Sequence, residues 1–241
     1  MQSKFSPRLA TLIALSTGFV SLVCVGCSDP APASKEKPAS AEEKKKPAEP
    51  AKPAEIVKTA DPKAPAAAPT KEPVKAPEFA LKDLDGKERK LSEFAGKYVV
   101  LEWTNYGCPF VKKHYGPGAM QALQKKYTDL GVIWLSICSS ADGKEGHMSP
   151  EGWKAALAGN KAAPTAVLLD ADGKIGHLYA ARTTPDMRII DPTGKLIYSG
   201  AIDDTPSPKA DPKDAKNYVV QVLDAVLAGK EPPVAETKSY G

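Results

Sequence analysis

Cysteine and histidine are scarce in this chain: four of the first and three of the second among 241 residues. The cysteines stand at 24, 27, 108 and 138, so the sequence beyond residue 76 holds two of them and no Cys-x-x-Cys pair. The histidines do not gather. His114 lies six residues past Cys108 on one predicted helix, which turns it about 120° away. His147 stands beside Met148 in a polar loop, and His177 is isolated. Soft side chains without a shared geometry do not make a metal site, so neither a metal nor a cofactor is expected. There is also no Gly-x-x-x-x-Gly-Lys phosphate loop and no serine nucleophile elbow, which removes those nucleotide and hydrolase chemistries. The segment Asp170-Ala171-Asp172-Gly173 opens like a calcium loop but lacks the closing Glu, and reads as a turn after a strand. The net charge is only +4, with lysines interspersed among acids, which argues against a nucleic-acid partner.

What is present is unevenly distributed, the 23 prolines above all. Lys4 and Arg8 precede an apolar stretch, residues 9–25, that carries no charge and runs through small residues to Gly26-Cys27. A basic start, an apolar centre and a small residue before the cut describe a secretory signal over 1–26. The apolar stretch, about 17 residues, is short for a bilayer span. Ending in Gly-Cys, it resembles a bacterial lipoprotein signal. The resemblance implies lipidation of Cys27, loss of Cys24 with the leader, and a domain held at a membrane of the cell envelope, facing the periplasm. Ser28, where some lipoproteins carry an inner-membrane retention Asp, points to the outer membrane.

Residues 27–76 are almost entirely Ala, Pro, Lys and Glu, with Ile56 and Val57 the sizeable apolar residues before Val74. Such a stretch buries too little apolar surface to offset its ordering entropy and is expected to be a disordered tether. Proline stiffens it toward an extended form of roughly 3.1 Å per residue, a reach on the order of 140 Å.

The folded part is expected over 77–230, followed by a tail, 231–241. Two short strands flank the Asp85-Gly86 turn. A strand at 98–103, a helix at 109–130 and a strand at 132–137 follow. Then come a helix at 150–158, a strand at 165–169 and a short helix at 175–181. A strand pair at 187–190 and 195–198, joined by Asp191-Pro192-Thr193-Gly194, is followed by a helix at 218–227. Strands alternating with helices predict an α/β sandwich with a mixed sheet, the late hairpin forming an antiparallel edge. Trp103, Trp134 and Trp153 fall within or beside these elements and are expected in the core.

The stretch TNYGCPFVKKHY, 104–115, places Cys108 where a strand gives way to a helix. A helix N-terminus carries unpaired N–H groups and partial positive charge, which favour a thiolate, the nucleophilic form of cysteine. Pro109 suits the first helical position, where its missing N–H has no partner to lose. Lys112 and Lys113, one turn on, would add positive field. The competing reading is a small buried cysteine that only packs.

A strand ending in Trp-Thr, then Cys-Pro opening a helix, and about 75 residues later ARTTPDMRIIDPTGKLIYSG, together resemble the thioredoxin fold. The similarity is greatest to the peroxiredoxin-like redoxins, related to alkyl hydroperoxide reductase and thiol-specific antioxidant proteins. The resemblance covers residues 77–230 and implies a cis bond at Thr184-Pro185, facing Cys108. It implies attack by Cys108 on a peroxide or a disulfide, with Thr184 and Pro185 shaping the groove and Thr104 or Asn105 stabilising developing charge. An external thiol would act as reductant. The chain departs from the pattern in placing Asn105 where dithiol relatives have a first cysteine, and Thr104 four residues before Cys108 rather than three. Pro185 occupies the slot of the peroxiredoxin arginine, with Arg182 and Arg188 nearby as substitutes. Cys138 ends the neighbouring strand and is either the resolving thiol or core filling. Two further readings stand beside the redox enzyme: a retired thioredoxin-like binding module, favoured by the missing first cysteine, and a copper-binding relative, disfavoured by the absence of Cys-x-x-x-Cys.

Overall fold

The computed structural model describes residues 74–241. The signal sequence, Cys27 and the tether up to residue 73 lie outside the described residues. The strands are β1 (Val74–Lys75), β2 (Ala80–Asp83), β3 (Glu88–Lys90), β4 (Val99–Trp103), β5 (Ile133–Cys138), β6 (Ala166–Leu169), β7 (Asp186–Ile190) and β8 (Lys195–Gly200). The helices are α1 (Pro109–Tyr115), α2 (Ala119–Asp129), α3 (Pro150–Asn160), α4 (Lys174–Leu178) and α5 (Tyr218–Leu227). They build one mixed sheet in the order β1-β8-β7-β4-β5-β6-β2-β3. Strands β4, β5 and β6 run parallel, while β7 is antiparallel to β4 and β8 to β7.

Strand β4 is buried at every position, as a central strand covered on both faces must be. Its residues alternate between two cores. Val100 joins Val111, Tyr115, Tyr127, Trp134 and Val222 under α1, α2 and α5. Val99, Leu101 and Trp103 face the other way, with Leu135, Ile137, Leu168 and Tyr179 beneath α4. Trp134 and Trp153 have no exposed surface, and Trp103 is 3 % exposed.

The structure departs from the expected elements at three places. The single helix over 109–130 is two, because Gly116-Pro117-Gly118 interrupts it: Pro117 has no N–H to donate and Gly118 adopts φ +84. The two short strands expected around Asp85-Gly86 are present and pair with each other, and β2 also pairs with β6, extending the sheet. The late hairpin is not an edge, since β1 pairs with β8 outside it. The sheet therefore begins at Val74, inside the stretch read as tether. The 231–241 segment also lies against the domain: Ser199 N–H donates to Ala235 O at 3.0 Å and Thr237 N–H to Ser199 O at 3.0 Å.

Candidate active site

Chain direction at the end of β4 places the thiol. Thr104 N–H donates to Ile137 O (2.9 Å), keeping the chain beside β5 for one more residue. Asn105 then closes a tight turn: its side-chain oxygen accepts Gly107 N–H at 2.7 Å and its carbonyl accepts Cys108 N–H at 2.9 Å. Cys108 is the cap of α1, its carbonyl accepting Lys112 N–H at 3.0 Å, and Pro109 takes the first helical position as expected. Thr184-Pro185 is cis. The Cys108 Sγ donates to the Thr184 carbonyl at 3.1 Å, so the two motifs, 76 residues apart, meet. A thiolate cannot donate that bond, so deprotonation of Cys108 breaks it.

The other predicted residues separate into distinct surroundings. Thr104 is 2 % exposed and its hydroxyl has no protein partner. It lines a cavity of about 430 Å3 together with Asn105, Ser139, His177, Arg182 and Thr184. Arg182 is exposed there, whereas Arg188 is committed elsewhere: its guanidinium donates to Asp186 at 2.5 Å and to the carbonyls of Met187 and Tyr179. Cys138 ends β5 beside the end of β4, as the parallel register requires. Its sulfur lies 3.5 Å from Gly146 O and packs with Trp153 and Val167, and neither cysteine is in a disulfide. Three residues to either side of Cys108 stand Asn105 and Val111, and Val111 is fully buried. The site thus presents one thiol on its own helix.

Lys113 does not add the positive field expected of it. It is buried, and its ammonium donates to both oxygens of Asp203 (2.8 and 3.1 Å), to Thr205 O (2.6 Å) and to Tyr240 Oη (3.2 Å). Lys112 stays exposed. His114 follows, 1 % exposed, with both ring nitrogens unpartnered and Nε2 3.7 Å from Asp203. Burial and, less so, the Lys113 charge push its pKa down to about 4, against the opposing pull of Asp203.

Glu102 escaped the sequence reading. It is fully buried on β4 and accepts from Trp134 Nε1 (2.7 Å), Tyr115 Oη (2.9 Å), Ser136 Oγ (3.1 Å) and Gln124 Nε2 (3.3 Å). Burial raises its pKa despite those four donors. The signal was legible: a lone acid in the otherwise apolar run Val99–Trp103 must be partnered.

A mixed sheet whose central strand delivers a cysteine to the cap of a helix, opposite a cis Thr-Pro, is a thioredoxin-like redoxin. The chain belongs to the AhpC/TSA family, whose sequence profile matches residues 74–199. It is similar to the thiol-disulfide oxidoreductase ResA of Bacillus subtilis (strain 168), 26% identical over 122 residues, which are 51% of this chain and 63% of that protein. Among solved structures it resembles an uncharacterized conserved protein from Geobacillus kaustophilus, with TM-score 0.59 and 27% identity over 70% of this chain and 88% of the other. A hypothetical protein from Sinorhizobium meliloti 1021 is similar to the same degree, with TM-score 0.59 and 25% identity over 69% of this chain and 91% of the other.

Proposed function

We propose that this chain is an exported thiol oxidoreductase of the cell envelope with Cys108 as its nucleophile, anchored through a lipid on Cys27. The observation that carries the reading is the meeting of the half-buried Cys108 sulfur with the Thr184 carbonyl, beside a cavity with an unpartnered hydroxyl. With a disulfide, the Cys108 thiolate attacks one sulfur, a new S–S bond forms, and the departing thiolate takes up a proton. An external thiol then attacks the mixed disulfide and restores Cys108. With a hydroperoxide, the thiolate attacks the terminal oxygen, giving a sulfenic acid and an alcohol, and an external thiol condenses with loss of water. Cys138 is the internal alternative as resolving thiol in either route, and would have to leave Gly146 to do so. The relationship to a protein named as a thiol-disulfide oxidoreductase supports the disulfide route.

The test is mass spectrometry of the reduced chain after brief exposure to 2-hydroxyethyl disulfide or to hydrogen peroxide. A mixed disulfide or sulfenic acid on Cys108, formed faster than on the unfolded chain and absent in Cys108→Ser, is expected. Equal reactivity of Cys108 folded and unfolded would mean the fold does nothing for the thiol. The chain would then be better read as a binding module.

A further inference from the structure

Segment 234–241 returns along β8 to the surroundings of Cys108. Ser199 pairs with Glu236 in parallel, its N–H donating to Ala235 O and its carbonyl accepting Thr237 N–H, each at 3.0 Å. The Thr237 hydroxyl accepts Ala201 N–H at 2.9 Å, and Ser239 Oγ donates to Asp186 at 2.8 Å. Residues 240 and 241 then bracket the thiol. The Tyr240 ring lies 5.6 Å from Phe110, two positions past Cys108 on α1, and its hydroxyl binds Asp203. Gly241 lies against Thr183 and Thr184, where a Cβ would come within 2.7 Å of the Thr184 carbonyl oxygen. That oxygen is the one to which the Cys108 Sγ donates.

The segment is fastened to the domain without being built into its core. None of its residues is fully buried, and its apolar members, Val234, Ala235 and Tyr240, are half-buried. The side chains that hold it keep other partners without it. Asp186 stays paired with Arg188 at 2.5 Å, and Asp203 with Lys113 (2.8 and 3.1 Å) and Thr205 N–H (2.9 Å). Lys113 also keeps Thr205 O, and Tyr198 Oη, which meets the Thr237 hydroxyl, still donates to Ala201 O. Release therefore returns the Ser199 and Ala201 backbone to water and strands no buried charge. A segment with few buried apolar contacts opens locally, at less cost than global unfolding.

What the segment covers is a docking edge. An extended polypeptide docks readily by pairing with a free sheet edge. Gly200 is registered with Met187 near the start of β7, just past Thr184, so the edge at Ser199–Ala201 leads to the thiol. Resting on the reading of Cys108 as nucleophile, we infer that segment 234–241 is a displaceable strap. It occupies the edge on which an extended polypeptide would lie to reach Cys108, and such a partner reacts only when the strap is open. Small molecules keep the route through the cavity at Asn105 and Thr184, where the strap contributes only Gly241 to the wall.

The test uses N-ethylmaleimide and a polyethylene glycol maleimide of protein-like bulk, one reactive group at two sizes. Adduct formation on the Cys108 peptide is followed in the reduced full chain, and the ratio of bulky to small rate cancels the reactivity of the thiol itself. Tyr240→Ala removes a ring contact and the hydrogen bonds to Asp203 and Lys113. The open fraction, and with it the ratio, should rise roughly tenfold. An extended peptide with one disulfide-activated cysteine should gain over 2-hydroxyethyl disulfide by a similar factor. Hydrogen exchange of the unaltered chain gives a reading without a variant. The Ser199 and Ala201 amides should exchange through a local opening insensitive to low urea, and those of Val99–Trp103 only with global unfolding. Exchange of Ser199 and Ala201 in step with Val99–Trp103 would make the segment part of the cooperative fold and overturn the inference. An unchanged maleimide ratio in Tyr240→Ala, or no gain for the peptide, overturns it too. The nucleophile reading is judged separately by 2-hydroxyethyl disulfide: should it react no faster with the folded chain while the maleimide ratio rises, the strap stands and that reading fails.

Discussion

His114 offers a sharp test of how α1 is held. Its ring sits beneath the helix that carries Cys108, 1 % exposed, with neither nitrogen hydrogen-bonded. Burial drives its pKa from 6.5 to about 4. A histidine depressed in the folded state leaves stability intact above its unfolded pKa. That stability is lost as pH falls from about 6.5 toward 4, because the unfolded chain takes up the proton first. The full shift corresponds to about 3 kcal/mol, of which about 2.5 kcal/mol is lost by pH 4.5. With a urea m-value of roughly 2 kcal/mol/M, the unfolding midpoint moves by somewhat more than 1 M. The comparison is His114→Phe, which keeps a planar ring and removes the titration. Urea midpoints of both proteins at several pH values between 7.5 and 4.5 give a difference curve. In that curve the carboxylates common to both cancel, and so does any constant packing change. Wild type should lose ground to the variant steadily below pH 6.5. A flat difference curve, or a His114 ring that titrates near 6.5 by NMR, would refute the argument that burial outweighs Asp203 here.

Glu102→Gln keeps the shape and most of the acceptor capacity, so its cost at acidic pH should stay within about 1 kcal/mol. Glu102→Leu strands four donors and should cost at least about 3 kcal/mol. Since burial raises the Glu102 pKa, wild type should weaken relative to Glu102→Gln as pH climbs above the unfolded carboxylate range. Parallel pH profiles in chemical denaturation would show that the four hydrogen bonds win instead. Gly200 adopts φ +145, and a side chain there would collide with Thr237. Gly200→Ala should therefore lower stability by about 2 kcal/mol and speed tryptic cleavage at Lys238, while unchanged proteolysis would show that the 234–241 segment does not depend on that close approach.

Much of this protein could be read one residue at a time. The alternation of apolar strands and helical stretches announced an α/β sheet, because burial on two faces demands near-continuous apolar strands such as Val99–Trp103. Cys108-Pro109 at a strand-to-helix junction and Thr184-Pro185 before a hairpin were visible because local backbone chemistry limits where such pairs can stand. The break at Gly116-Pro117-Gly118 has a local cause, since Pro117 cannot donate and Gly118 takes a positive φ, yet the expected helix ran through it. The partners were not legible. Glu102 finds four donors on three different elements, and Lys113 reads as surface charge until Asp203 and Tyr240 close over it. The Cys108 sulfur meets a carbonyl 76 residues away. The 234–241 segment looks like a tail in sequence and proves to be part of the wall around Cys108. Local preference depends on a residue and its near neighbours, so the sequence by itself determined the elements and the two motifs. Which polar group meets which, and which sheet edge stays open, depends on contacts closed by the whole chain, and those only the tertiary structure decided.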